Sequence, residues 1–249
     1  MNTDNISLYC HLWYPEESKF LLDKLCTVFK DVINISLNEG GEHNEVIKTY
    51  AQDKFKTVNI TLVENMGNDQ IGFYKSHSIF EDDSKEWIFY AHDKQLKDRG
   101  WVSDLVDPLL TEEAINLTNE NHNTGMVISK KRKLELITEQ ELILGNKGCP
   151  MPFEAKKATA YALHTLGWLR ILQYNLYEHY GFINKENLDI SFAAGTMFMT
   201  KKQVVDMAHG CIHQDYFDKG YMPDGKVEHA LERFYAYVNK CLEYETRSI

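Results

Sequence analysis

The chain has 249 residues, 43% hydrophobic and 26% charged, values that fit a folded domain able to bury a sizeable core. Its formal net charge of −10 excludes a general nucleic-acid-binding surface, which needs cations against phosphates, but leaves room for a small anion in a local pocket. The five cysteines (Cys10, Cys26, Cys149, Cys211 and Cys241) are scattered and lack any CxxC pair, which argues against a zinc site or disulfide framework and fits a reducing compartment.

Alternating apolar patterns predict a strand over Ile6–Trp13, then a helix over Glu16–Phe29 with Phe20, Leu21, Leu25 and Val28 as its apolar side. A second strand follows at Val32–Leu37, a short polar helix at Glu42–Asp53 and a third strand at Thr57–Val63. A turn at Asn65–Asn68 opens a helix running towards Phe80, and Trp87–Tyr90 reads as a fourth strand. Strands alternating with helices imply a parallel sheet with crossover helices, in which ligands sit beyond the carboxyl ends of the strands. Later patterns predict strands at Met126–Ser129 and Ile190–Met199, and helices at Glu154–Tyr180, Lys201–His209 and Val227–Tyr244. A loop carrying Gly220, Pro223 and Gly225 precedes the last of these. No repeat or linker interrupts the chain, so one domain is expected, with a nucleotide-binding half to about residue 100 and an acceptor half after it. The N-terminal residues lack the basic and apolar regions of a secretion signal, and no run is long enough to span a bilayer. A cytoplasmic protein without a transmembrane segment is expected, and peripheral association with a membrane stays compatible with this.

Four segments combine residues suited to chemistry. Glu64-Asn65-Met66-Gly67-Asn68-Asp69 stands where the third strand ends, and Asn65 and Asp69 suit either ribose and base edges or a plain turn with Asp69 as helix cap. Tyr90-Ala91-His92-Asp93-Lys94 follows the fourth strand; Asp93 suits a metal bridging a diphosphate or a sugar hydroxyl, and Lys94 a phosphate charge. A solvated surface turn accounts for the same residues. In Phe192–Met199, small residues up to Gly195 leave space for a ligand or for another backbone, and a buried strand with a bulge is the structural alternative. In Val227–Phe234, Glu228 and Glu232 share a helix face, as do His229 and Arg233, which suits a general base or a solvated charge pattern. No GxSxG, P-loop or HExxH motif occurs.

Taken in order, these segments resemble the rhamnan synthesis protein F family. The resemblance rests on His11-Leu12-Trp13-Tyr14, on Asn65, Gly67 and Asp69, on His92-Asp93-Lys94, on Gly195, Met197 and Phe198, and on Glu228, His229, Ala230, Glu232 and Arg233. It spans about Ile6 to Tyr237. It implies an α/β, GT-A-like glycosyltransferase with a Rossmann-type, mostly parallel sheet flanked by helices and a helical, mixed acceptor side. Such an enzyme moves a sugar, rhamnose in the leading case, from a nucleoside diphosphate to a glycan acceptor. By this resemblance Tyr9, His11, Asn65, Gly67, Asp69, His92, Asp93 and Lys94 would bind the donor, and Gly195, Thr196, Met197 and Arg233 the acceptor side. Glu228 is the first candidate base, with His229 and Glu232 as alternatives, and Asp93 is the candidate ligand for a Mg or Mn cation. A two-acid DxD is replaced here by His92-Asp93-Lys94, which keeps two rivals in view: a non-catalytic carbohydrate-binding or scaffolding domain, and a sugar-nucleotide hydrolase.

Overall fold

A computed structural model describes residues 1–66, 68–95, 99–120, 123–135, 153–182, 190–193, 195–217 and 226–249. Four strands, β1 (Ile6–Leu12), β2 (Val32–Asn38), β3 (Thr57–Val63) and β4 (Trp87–His92), run parallel in the order β3-β2-β1-β4. They are joined by α1 (Pro15–Leu25), α2 (Asn44–Lys54) and α3 (Asn68–Ile79). The chain steps outward from β1 to β3, then crosses back to β4. Right-handed crossovers therefore put α1 and α2 on one face and α3 on the other. Covered on both sides, β1 and β4 are buried along almost their whole lengths, as parallel strands require. The edge strand β3 is the exception, with Leu62 exposed.

The second half continues the same sheet. After α4 (Arg99–Leu109) and α5 (Glu112–Glu120) come β5 (Thr124–Ile128), β6 (Lys133–Glu135), the long α6 (Phe153–Tyr180), β7 (Ser191–Ala193) and β8 (Phe198–Lys201). α7 (Lys202–Gly210), α8 (Val227–Cys241) and β9 (Glu245–Ser248) complete it. The full order is β3-β2-β1-β4-β8-β5-β9, seven strands in which β8 is antiparallel to both neighbours, while β6 and β7 form a separate two-stranded ribbon. The protein is thus α/β, with a mostly parallel central sheet flanked by helices.

Three differences from the sequence reading have local causes. The strand expected over Ile190–Met199 breaks at a turn, where Gly195 and Thr196 take φ of 88° and 53°. β7 and β8 consequently belong to different sheets. The helix expected to reach Tyr244 stops at Cys241, and Glu243 at φ 63° turns the chain into β9. α4 and α5 fall where no helix is predicted; both are amphipathic, but Gly100 and Pro108 in α4 and the polar Asn116 and Asn119 in α5 weaken the signal. No helix among the described residues is long and apolar enough to cross a membrane. The loop with Gly220, Pro223 and Gly225 lies outside the described residues, as does Gly67.

Candidate functional site

The strand order reverses between β1 and β4, and in open parallel sheets the crevice forms beyond the carboxyl ends of such a pair. His11 and His92 are paired in register at those ends. The segments that follow, together with the start of α3, the Gly195 turn and the second turn of α8, meet there.

Asp93 anchors this end of the sheet. Its Oδ2 accepts from the backbone amides of Trp13 and Tyr14, both at 2.8 Å, and from the Ser18 hydroxyl at 2.7 Å. Helix α1 has no side-chain cap of its own at Tyr14, so a carboxylate from β4 supplies one across the sheet. Burial pushes the Asp93 carboxyl up to about 6, against the pull of those three donors. Asp93 is 7% exposed and its Oδ2 is fully engaged, so its role is to fasten the β1–α1 loop. Among the described residues, no group of three or more His, Cys, Asp or Glu side chains is spaced to hold a metal.

Asp69, in the first turn of α3, stands differently. Its Oδ2 accepts from Gln70 Nε2 at 2.7 Å and from the Tyr90 hydroxyl at 3.1 Å, and His92 Nε2 lies 3.7 Å away. Phe73 stacks on Tyr90 with ring centroids 4.0 Å apart, which sets the direction of that hydroxyl. Burial works to raise the Asp69 carboxyl, but His92, Lys94 and His11 hold it below the usual range. It stays ionised with 19% of its side chain exposed. Helix α3 can come this close because of Gly72: a Cβ there would meet His11 Nδ1 at 2.3 Å and Ser36 Oγ at 2.5 Å. His11 Nδ1 instead pairs with Ser36 Oγ at 3.0 Å, and burial lowers its pKa to about 4.

The turn at Gly195 and Thr196 joins the two halves. Its carbonyl oxygen at Gly195 faces His92 Nε2 at 2.7 Å, and His92 Nδ1 faces the Asp93 carbonyl at 2.9 Å. Burial lowers the pKa of His92, opposed by the nearby Asp69 carboxylate. The Gly195 amide and the Thr196 hydroxyl both donate to Glu232 Oε1, at 3.2 and 3.1 Å. Two successive residues at positive φ, one of them not glycine, mark a strained backbone held by these bonds.

Glu232 is the carboxyl of α8 that reaches this turn. Burial lifts its pKa to about 7, with Arg233 opposing and Asp69 adding to the rise. Its side chain keeps 20% exposure, whereas Glu228, one turn earlier, is 3% exposed. Arg233 lies with its guanidinium 4.9 Å from the Phe192 ring and its Nη1 at 2.5 Å from the His229 carbonyl and 3.8 Å from Glu232 Oε2. The geometry therefore singles out Glu232 where the sequence pattern favoured Glu228.

Of the predicted residues, Asp69, His92, Lys94, Gly195, Thr196 and Glu232 converge, with His11 directly behind them. Tyr9 does not join them: it is buried, donating to the Phe80 carbonyl at 2.8 Å. Met197 is a core residue and Asn65 is exposed in the β3–α3 connection. A buried chain missed in the sequence backs the cluster: His209 Nε2 meets Tyr235 Oη at 2.9 Å, which donates to Gln70 Oε1 at 3.3 Å, and Gln70 holds Asp69. These residues come from α7, α8 and α3, and nothing in their spacing announces that they touch. Compared with known proteins, the chain matches no family model, and no curated protein matches it.

Proposed function

We propose that this protein is a GT-A-like glycosyltransferase that moves a sugar, with rhamnose from its dTDP form as the leading case, onto a glycan acceptor. The observation that carries this reading is the meeting of two carboxyl groups (Asp69 and Glu232) and a lysine (Lys94) around one glycine turn. They meet at the sheet's switch point, the crevice where α/β proteins take nucleotides. The ordered motifs that resemble the rhamnan synthesis protein F family supply five of the six converging residues.

The proposed chemistry assigns each group a task. Asp69, fixed by Gln70 and Tyr90, accepts hydrogen bonds from donor hydroxyls. Lys94 offsets charge growing on the departing diphosphate as the anomeric carbon becomes oxocarbenium-like. Glu232 takes the proton of the acceptor hydroxyl as it attacks that carbon. A base works best with a pKa near the working pH, and burial brings Glu232 to about 7. Thr196 and the Gly195 amide aim its Oε1, and His92 holds the turn from the other side through the Gly195 carbonyl. With the Asp93 Oδ2 committed to α1, no step is routed through a cation.

The test is a binding and transfer screen against dTDP-, UDP- and GDP-sugars. A ligand at 100 times its Kd stabilises the fold by about 2.7 kcal/mol, an easily read melting shift. A shift with one donor, followed by sugar release or transfer abolished in Asp69→Asn, supports the reading. Stabilisation by free glycans and by no nucleotide sugar overturns it in favour of a carbohydrate-binding module.

A further inference from the structure

Beside Gly195, on the side of α4, hydrogen-bond donors gather without matching acceptors among the described residues. Lys94 is half-buried, and its ammonium forms no ion pair or hydrogen bond with any described residue. Asp69 and Glu232 feel its charge, yet neither pairs with it. Trp101, in the first turn of α4, directs its indole nitrogen at the glycine: a Cβ on Gly195 would lie 2.9 Å from Nε1, and 3.6 Å from Lys94 Cε. Among the described residues, that buried nitrogen has no hydrogen-bond partner, and neither does the buried Nε of Arg132. The Arg132 guanidinium lies 4.3 Å from the centre of the Trp101 ring, and the Lys94 ammonium 5.9 Å from it.

The inventory of these groups is one-sided. Ammonium, indole and guanidinium nitrogens donate hydrogen bonds and accept none. The one carboxylate bonded to the group, Asp104, is shared by Arg132 at 2.8 Å and Lys131 at 3.3 Å. Lys94, Lys131 and Arg132 thus outnumber the carboxylates on the α4 side of the turn, within a protein whose net charge is −10, while Asp69 and Glu232 stand on its other side. A buried donor left without a partner is costly, and a charged acceptor offsets that cost best. The chemistry that suits these donors is an anion with several oxygens.

We propose that Lys94, Trp101 and Arg132 form the subsite for the diphosphate of the donor, with the indole N–H and the Arg132 Nε–H turning onto its oxygens. This rests on the nucleotide-sugar reading and adds to it two residues that carry none of its motifs. Gly195 is then the hinge between the two parts of the site. Its amide and carbonyl face Glu232 and His92, while its bare Cα lets the donor subsite close against it.

The experiment is titration calorimetry of the full chain with inorganic pyrophosphate, with dTDP, UDP and GDP, and with the matching free nucleosides. Indole fluorescence is followed in parallel. Wild type should bind pyrophosphate and at least one nucleoside diphosphate. Lys94→Met and Arg132→Gln should each weaken both by about 10–100-fold, the worth of one charge-assisted hydrogen bond. Trp101→Phe keeps a ring for the cations and lacks only the N–H; it should lose about tenfold, together with the ligand-induced fluorescence change. Lys240→Met, a charge removed from the end of α8, should bind as wild type does, which separates a built site from general attraction. Nucleoside diphosphates that bind with no sensitivity to Lys94, Trp101 or Arg132 overturn the subsite and leave the nucleotide reading standing. Pyrophosphate binding that depends on all three, with no nucleotide sugar bound or transferred, keeps the subsite and overturns that reading. No binding of either overturns both.

Discussion

Replacing Glu232 by Gln separates the chemistry of this carboxyl from its packing. The Gln amide oxygen can still accept from the Gly195 amide and the Thr196 hydroxyl, 3.2 and 3.1 Å from Oε1 in the wild type. What disappears is a charge held in a costly place. Burial lifts the carboxyl from its ordinary 4.5 to about 7. Ionising it in the fold therefore costs about 3 kcal/mol, at about 1.4 kcal/mol per pKa unit. The folded chain binds this proton more tightly than the unfolded chain does. The stability it contributes is full below pH 4.5, declines as pH rises towards about 7, and stays lost above. Glu232→Gln does not titrate, so it should gain on the wild type between these limits and exceed it at pH 8 by up to about 3 kcal/mol. At about 2–4 °C per kcal/mol for a chain of this size, thermal melts at pH 5 and pH 8 resolve the difference. Transfer should move the other way: kcat/KM falls by about 10²–10⁴-fold, and the wild-type rise in rate through pH 7 vanishes. Full transfer by Glu232→Gln with donor binding intact refutes the base assignment. A variant that melts below the wild type at pH 8 refutes the electrostatic argument beneath it.

Three further outcomes follow from the geometry. Asp93→Ala strips the acceptor from two amides and a hydroxyl at the start of α1; at about 1–3 kcal/mol for each buried donor left unpaired, urea unfolding should register a loss of at least about 3 kcal/mol, equal with and without added Mg2+. Gly195→Ala must hold φ at 88° and press a Cβ to 2.9 Å from Trp101 Nε1; a cost of about 1–2 kcal/mol from the left-handed backbone alone, with donor binding lost, is expected in a melting assay run with and without nucleotide sugar. Gly72→Ala drives a Cβ between His11 and Ser36; overpacking of this kind costs about 1–3 kcal/mol, and because α3 must shift, donor affinity should fall even though residue 72 touches no donor group.

Much of the architecture is legible in the sequence. The run from Ile6 to His92 alternates apolar strands with helices, and the parallel sense of its strands follows from that alternation, whereas their order comes from the fold. The positions of Asp69, His92 and Lys94 are legible for the same reason, since they lie at or just past the end of β4 or in the first turn of α3. The choice between Glu228 and Glu232 is not. Four residues apart on α8, they share a face by periodicity, and only the Gly195 turn packed against that helix decides which carboxyl reaches the crevice.

What the sequence by itself determined is therefore the α/β class, the first four strands and which segments end at the crevice, because these depend on near neighbours in the chain. Only the tertiary structure decided what each side chain there does. Asp93 reads as a loop acid beside a lysine, but its partners Trp13 and Tyr14 stand about eighty residues away in sequence, and they convert it into a helix cap. Trp101 and Arg132 belong to none of the segments singled out in the sequence, and only folding sets the Trp101 indole beside Gly195 and Lys94 and the Arg132 guanidinium over its ring. Hydrogen-bond partnership and desolvation are properties of non-local contact, and no pattern along the chain encodes them.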